Sequence, residues 1–86
     1  MPEISRFYGI VITMYFGDHN PPHFHARYGD DKAEYDIRTL EILAGSLPKR
    51  AHLLAVEWAL EHRDELLKNW ERAVSMAALE KIKPLD

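Results

Sequence analysis

An α+β fold, with a small antiparallel sheet of three to four strands packed against one long C-terminal helix, is what this 86-residue sequence predicts. Three observations carry the prediction. Between residues 10 and 38, apolar, β-branched and aromatic residues run together or alternate with period two, the spacing of strands. Turn formers gather at 17–22 and 29–31 and cut that region into short pieces. From 48 to about 74 there is no glycine or internal proline, and Ala, Leu, Glu, Lys and Arg dominate, all favourable in helices.

The first strand is read at 10–16, where Ile10, Ile12, Met14 and Phe16 share one face. It must stop at Gly17-Asp18-His19-Asn20-Pro21-Pro22, because consecutive prolines donate no ladder hydrogen bonds. The next strand, His23 to Tyr28, sets Phe24, Ala26 and Tyr28 against His23, His25 and Arg27. After a tight turn at Gly29-Asp30-Asp31, Ala33, Tyr35 and Ile37 oppose Glu34, Asp36 and Arg38. A fourth short strand is read at 40–43. Ala44-Gly45-Ser46-Leu47-Pro48 then breaks the sheet, with Ser46 and Pro48 suited to a helix start.

Along the helix, Leu53, Val56, Ala59, Leu60, Leu66, Leu67, Trp70 and Val74 fall in one arc at 100° per residue, which should cover the sheet. Glu57, Glu61, Asp64, Glu65 and Lys68 fall opposite. Leu54 and Trp58 lie outside the arc, so they read as an interface with a second copy or another protein. The tail 75–86 has extended character. The organisation expected is therefore a single domain, with sheet 3–44, helix 48–74 and tail.

Composition narrows the function classes. At 47% hydrophobic and 29% charged the chain is globular in character, and its length gives room for one core. It has no cysteine, so thiolate metal sites are excluded and the reading is of a reducing, cytoplasmic setting. No stretch approaches the roughly 20 apolar residues of a membrane span, and Met1-Pro2-Glu3 opens an acidic lead unlike a signal peptide. Net charge is −3, so nucleic acid is not indicated by the overall field, although a local basic patch stays open.

Three of the five histidines fall within seven residues, at His19, His23 and His25. His23 and His25 project from the same strand face about 7 Å apart, and the Pro-Pro loop limits where His19 goes. Such imidazoles bind divalent metals in some settings. The ordinary alternative is a surface strand beside a structural turn. Without a standard ligand spacing, the expectation is no bound metal and no cofactor.

The hairpin brings carboxylates to the histidines. With Asp30-Asp31 as the loop, Arg27 faces Glu34 and His25 faces Asp36; with Gly29-Asp30, His25 faces Glu34 and His23 faces Asp36. Either pairing can orient a ring for acid–base work, so His25, His23, Asp36 and Glu34 are the catalytic candidates. The plainer reading is a cross-strand charge pair worth about 0.2–1 kcal/mol. His19, Arg27 and Arg63 are candidate ligand-binding residues. Arg63 lies in the apolar arc of the helix together with His52, where its head reaches either an anion or solvent.

Pro2-Glu3-Ile4-Ser5-Arg6-Phe7-Tyr8-Gly9-Ile10, Asp18-His19-Asn20-Pro21-Pro22-His23-Phe24-His25-Ala26, Glu57-Trp58, His62-Arg63 and Asn69-Trp70 together resemble the bacterial family named domain of unknown function 4160. The resemblance runs nearly the length of the chain, and the His-Asn-Pro-Pro-His-Phe-His run is its most specific part. It brings no established catalytic residues. It implies a protein partner, since members are commonly encoded beside a small protein of the domain of unknown function 2442 family, in toxin–antitoxin-like pairs.

The reading placed first is thus a component of a two-protein bacterial module, acting by protein binding and regulating its own expression. Second is a small ribonuclease using His23 or His25 as acid or base, and third a metal-binding protein.

Overall fold

The computed structural model describes residues 3–86; Met1 and Pro2, part of the acidic lead and of the first resemblance segment, lie outside the described residues. The chain is α+β, and its sheet has five strands rather than three or four. They are β1 (Glu3–Phe7), β2 (Ile10–Thr13), β3 (His23–Tyr28), β4 (Asp31–Asp36) and β5 (Ile42–Gly45), followed by helices α1 (Lys49–Glu61) and α2 (Arg63–Val74). The strands lie side by side in chain order, every neighbouring pair antiparallel.

The additional strand is β1. It hairpins into β2 with Phe7 opposite Ile10, through Tyr8 (φ 49°) and Gly9 (φ 80°). Positive φ at both central positions is the type I′ signature, and a Tyr-Gly pair lacks the usual Asn-Gly or Asp-Gly cue. The 10–16 strand ends early, at Thr13. Ile10, Ile12 and Met14 do share a fully buried face, while Phe16 is exposed in the turn. β5 sits two residues later than its expected place. At Gly45 φ is +74° and a Cβ would collide with the Lys32 carbonyl oxygen, so strand pairing with β4 requires glycine there.

The second hairpin settles the register. Tyr28 pairs with Asp31, leaving Gly29-Asp30 as the loop, so His25 faces Glu34 and His23 faces Asp36. Only Gly29 has positive φ, as a type II′ turn requires at its first central position.

The long helix is two. At His62 (φ −125°, ψ 24°) the N–H bonds the Ala59 carbonyl, one residue short of α-helical spacing, and α2 begins anew. No glycine or proline marks the break. A tertiary contact and a local one hold it: Arg63 Nε donates to the Ile37 carbonyl, and His62 Nδ1 lies 2.6 Å from Glu65 Oε1 three residues on. Asp64 and Glu65 in the first turn of α2 suit a new N-terminus.

The buried stripe also differs from the expected arc. It consists of Ala51, Ala55, Trp58 and Ala59, then Leu66, Asn69, Trp70 and Ala73, while Leu53, Leu60 and Val74 are each more than half exposed. The true stripe is rotated from the expected one by roughly one residue, about 100°. Alanines let α1 approach the sheet closely, and the one large side chain, Trp58, enters the core. The interface assignment of Trp58 is therefore corrected. Its ring is fully buried against Phe7 and Phe24, and its indole N–H donates to the Lys83 carbonyl. Leu54 is half-buried at the core margin.

α2 ends in a Schellman arrangement, with Ala77 N bonded to Arg72 O, Met76 N to Ala73 O, and Met76 at φ 59°. The extended tail then doubles back. Buried Asn69 takes Glu80 N and gives to Glu80 O, and Ile82 N donates to Ile4 O along the outer edge of β1. Among the described residues no strand pairs with the outer edge of β5. Among the described residues no helix is long and apolar enough to cross a membrane.

Candidate functional site

Core demands dispose of one sheet face: Phe24, Ala26, Ala33 and Tyr35 point at the helices and are buried. By alternation His23, His25 and Arg27, with Lys32, Glu34 and Asp36 opposite, take the other face. β2 ends at Thr13 opposite His25, so His23 projects beyond it and meets the 14–22 loop instead. That loop returns Asp18 to the strand it precedes.

Asp18 is the hub. Its Oδ2 lies 2.9 Å from His23 Nε2 and 3.4 Å from His25 Nε2. His23 Nδ1 donates to the Pro21 carbonyl at 2.8 Å, because a carbonyl only accepts. His23 is 6% exposed and its ring packs against Trp70 of α2 at 5.1 Å. His25 is half-buried, edge-on to Tyr15 at 4.7 Å and 5.2 Å from the His23 ring. Glu34 Oε1 stands 3.8 Å from His23 Nε2. Burial alone would raise the Asp18 carboxyl, but hydrogen bonding from His25, the charge of His23, and bonds from the His19 N–H and His23 outweigh it and hold it below the usual carboxylate range.

Beside His25 a cleft enclosing about 80 Å³ is lined by Val11, Thr13, Tyr15, His25, Ala26, Arg27 and Lys32. A cleft of this size takes a small group such as a phosphate. Arg27 and Lys32 are directly opposed across the β3–β4 ladder. Like charges in that position cost stability unless something between them is negative.

The structure thus brings together His23, His25 and Glu34 of the catalytic candidates, and places Arg27 on the rim. Asp36 is on the same face by register, but its Oδ1 accepts the Arg38 and Thr39 N–H groups and so builds the next turn. His19 contributes its backbone N–H to Asp18 Oδ1 while its side chain is exposed. Arg63 serves the helix break. Asp18, Tyr15, Lys32 and Trp70 are the members sequence reasoning missed. A carboxylate five residues ahead of His23, across a proline-stiffened loop, was the available signal for Asp18.

Asp18, His23 and His25 offer three donor atoms within 4.8 Å of one another, the one such group of potential metal ligands among the described residues. Converging imidazoles and a carboxylate can hold a cation, move a proton, or position a phosphate. No curated protein and no solved structure matches the chain. Residues 9–71, which include the whole loop, β3, β4 and most of both helices, match the family described as Domain of unknown function (DUF4160), and the chain belongs to that family.

Proposed function

We propose that this protein is a small histidine-dependent ribonuclease, cleaving phosphodiesters at the cleft beside His25. One observation carries the reading: two directly opposed cations, Arg27 and Lys32, flank a phosphate-sized cleft whose wall is a histidine held by Asp18. Phosphodiester cleavage needs charge neutralisation at the phosphate, a base for the attacking oxygen and a proton for the oxygen that leaves as the P–O bond breaks. The rim cations supply the first, and the Asp18–His23–His25 centre takes up the one proton and returns the other. RNA carries its own nucleophile, the 2′-hydroxyl, so a site this small suffices for it.

The test is cleavage of a fluorescent RNA oligonucleotide by purified protein. Wild type is expected to cut, while His25→Ala and the Arg27→Ala/Lys32→Ala pair are expected to be inactive yet folded. RNA left intact by wild type, or cut equally by His25→Ala, would overturn the proposal.

A protein-binding role in a two-protein module is the second reading, and β5 favours it. Among the described residues this edge strand has no outer neighbour, and its Ile42 and Leu43 are about 40% exposed. Open edges accept an added strand. Under this reading the neighbour-encoded protein should slow hydrogen exchange at the β5 amides; unchanged exchange at saturating partner would exclude that edge.

A further inference from the structure

We propose that Asp18 Oδ2, His23 Nε2 and His25 Nε2 together bind one divalent transition-metal ion, with zinc the best fit. The inference stands on donor geometry and does not require the ribonuclease reading. It departs from the sequence-based expectation of a metal-free protein, because the deciding ligand, Asp18, is brought in by the loop.

Two features of His23 point this way. Its Nδ1–H is spent on the Pro21 carbonyl, which fixes the ring and turns Nε2 toward Asp18. A ring nitrogen tied to a backbone carbonyl while the other faces a cation is the usual arrangement of metal-bound histidine. That nitrogen faces an Asp18 carboxylate oxygen at 2.9 Å. In the metal-free chain a ring N–H makes this contact, a place a metal ion can take over, and His25 brings a further ring nitrogen to the same oxygen at 3.4 Å. A single dication satisfies all three donors at once.

The distances suit the ion. Tetrahedral zinc with bonds of about 2.0–2.1 Å sets its ligand atoms roughly 3.3–3.4 Å apart. The Asp18–His25 separation equals this, the Asp18–His23 separation is shorter, and all three atoms lie within 4.8 Å of one another, so small side-chain adjustments bring them to one ion. Two imidazoles disfavour magnesium and calcium, which prefer oxygen. Three protein ligands leave a position for water, the pattern of catalytic rather than structural zinc. A bound ion would lower that water's pKa, so the histidines would hold the metal instead of carrying protons themselves.

Full-length protein, stripped with chelator and titrated with zinc, is expected to take up one equivalent by calorimetry, and cobalt(II) should give the visible absorption of a low-coordinate site. Asp18→Asn and His25→Ala should weaken zinc at least tenfold. Both side chains are outside the core, so circular dichroism of the metal-free variants should match wild type, with Asp18→Asn somewhat less heat-stable for the bonds it loses to His23 and His25. His19→Ala, on the same loop with its ring exposed, should bind as wild type does. Absence of zinc uptake, uptake undiminished in Asp18→Asn and His25→Ala, or loss confined to His19→Ala would each overturn the assignment. Zinc binding without RNA cleavage would retain the metal and remove the ribonuclease, whereas cleavage by a zinc-indifferent protein would do the reverse.

Discussion

The Tyr35 hydroxyl and His52 Nδ1 share a hydrogen bond of 2.8 Å, tying the centre of β4 to the first turn of α1 across the core. Tyr35 is fully buried, stacked between Phe24 and His52, and burial pushes its phenol up to about 12. In the unfolded chain the same phenol titrates near 10. The folded state therefore keeps its proton longer, and this contribution is fully present below about pH 10 and lost as pH rises toward 12. Urea unfolding followed across that window should show stability falling with pH, and Tyr35→Phe should flatten the fall. At neutral pH the same variant should lose about 0.5–1.5 kcal/mol for the missing hydrogen bond. An unchanged alkaline slope in Tyr35→Phe would mean the phenol is not held in this way.

Helix phase gives a second expected outcome. Trp58→Ala should cost about 3–5 kcal/mol, a large part of the roughly 5–15 kcal/mol typical of a domain. Leu53→Ser and Leu60→Ser, on the side sequence periodicity assigned to the core, should stay within about 0.5 kcal/mol of wild type. Chemical denaturation of the three variants checks this; the reverse order would restore the expected arc.

How far the sequence could be read follows from what each element needed. Alternation in β3 and β4 is a local property, so the buried face, the histidine face and both permitted registers were legible from residues 23–37 alone. Turn chemistry chose between the registers. β1 was hidden because Tyr8-Gly9 is an unusual pair for its turn. The helix phase differs because the arc that gathers most apolar residues, Leu53 to Val74, is not the one laid on the sheet, where close packing selects Ala51, Ala55 and Ala59 with a single Trp58. The partner of the Trp58 indole N–H comes from the tail, 25 residues on, which no local pattern reveals. Asp18 entered the site by the path of a loop. Loop paths have no periodicity to read.

Asn69 offers a test of the tail. It is completely buried, and its amide group takes the Glu80 N–H at 3.0 Å while giving to the Glu80 carbonyl at 2.8 Å. Asn69→Ala strands both backbone groups and should cost about 1–3 kcal/mol. Hydrogen exchange should quicken first at Glu80 and Ile82, since Ile82 N reaches Ile4 O only while the tail is held. Exchange at these amides equal to wild type would show the tail anchored by Trp58 and Lys83 alone.

The opposed cations of the hairpin separate stability from binding. Arg27 and Lys32 face each other on an exposed part of the sheet, where like charges are unfavourable by about 0.2–1 kcal/mol. Replacing both by alanine should therefore leave thermal stability unchanged or slightly raised. If the cleft holds phosphate, the same double variant should bind a single-stranded RNA oligonucleotide more weakly, and the dependence of binding on salt should become shallower because fewer counterions are released. Single substitutions should each show part of the effect. Arg27→Lys should preserve the salt dependence, since it keeps the charge, while losing affinity wherever the planar guanidinium makes two contacts to phosphate. Fluorescence anisotropy at several salt concentrations measures all of this. A double variant that is destabilised but binds RNA as wild type does would make the pair a packing feature of the strands, and the cleft beside His25 would lose its claim to an anionic ligand.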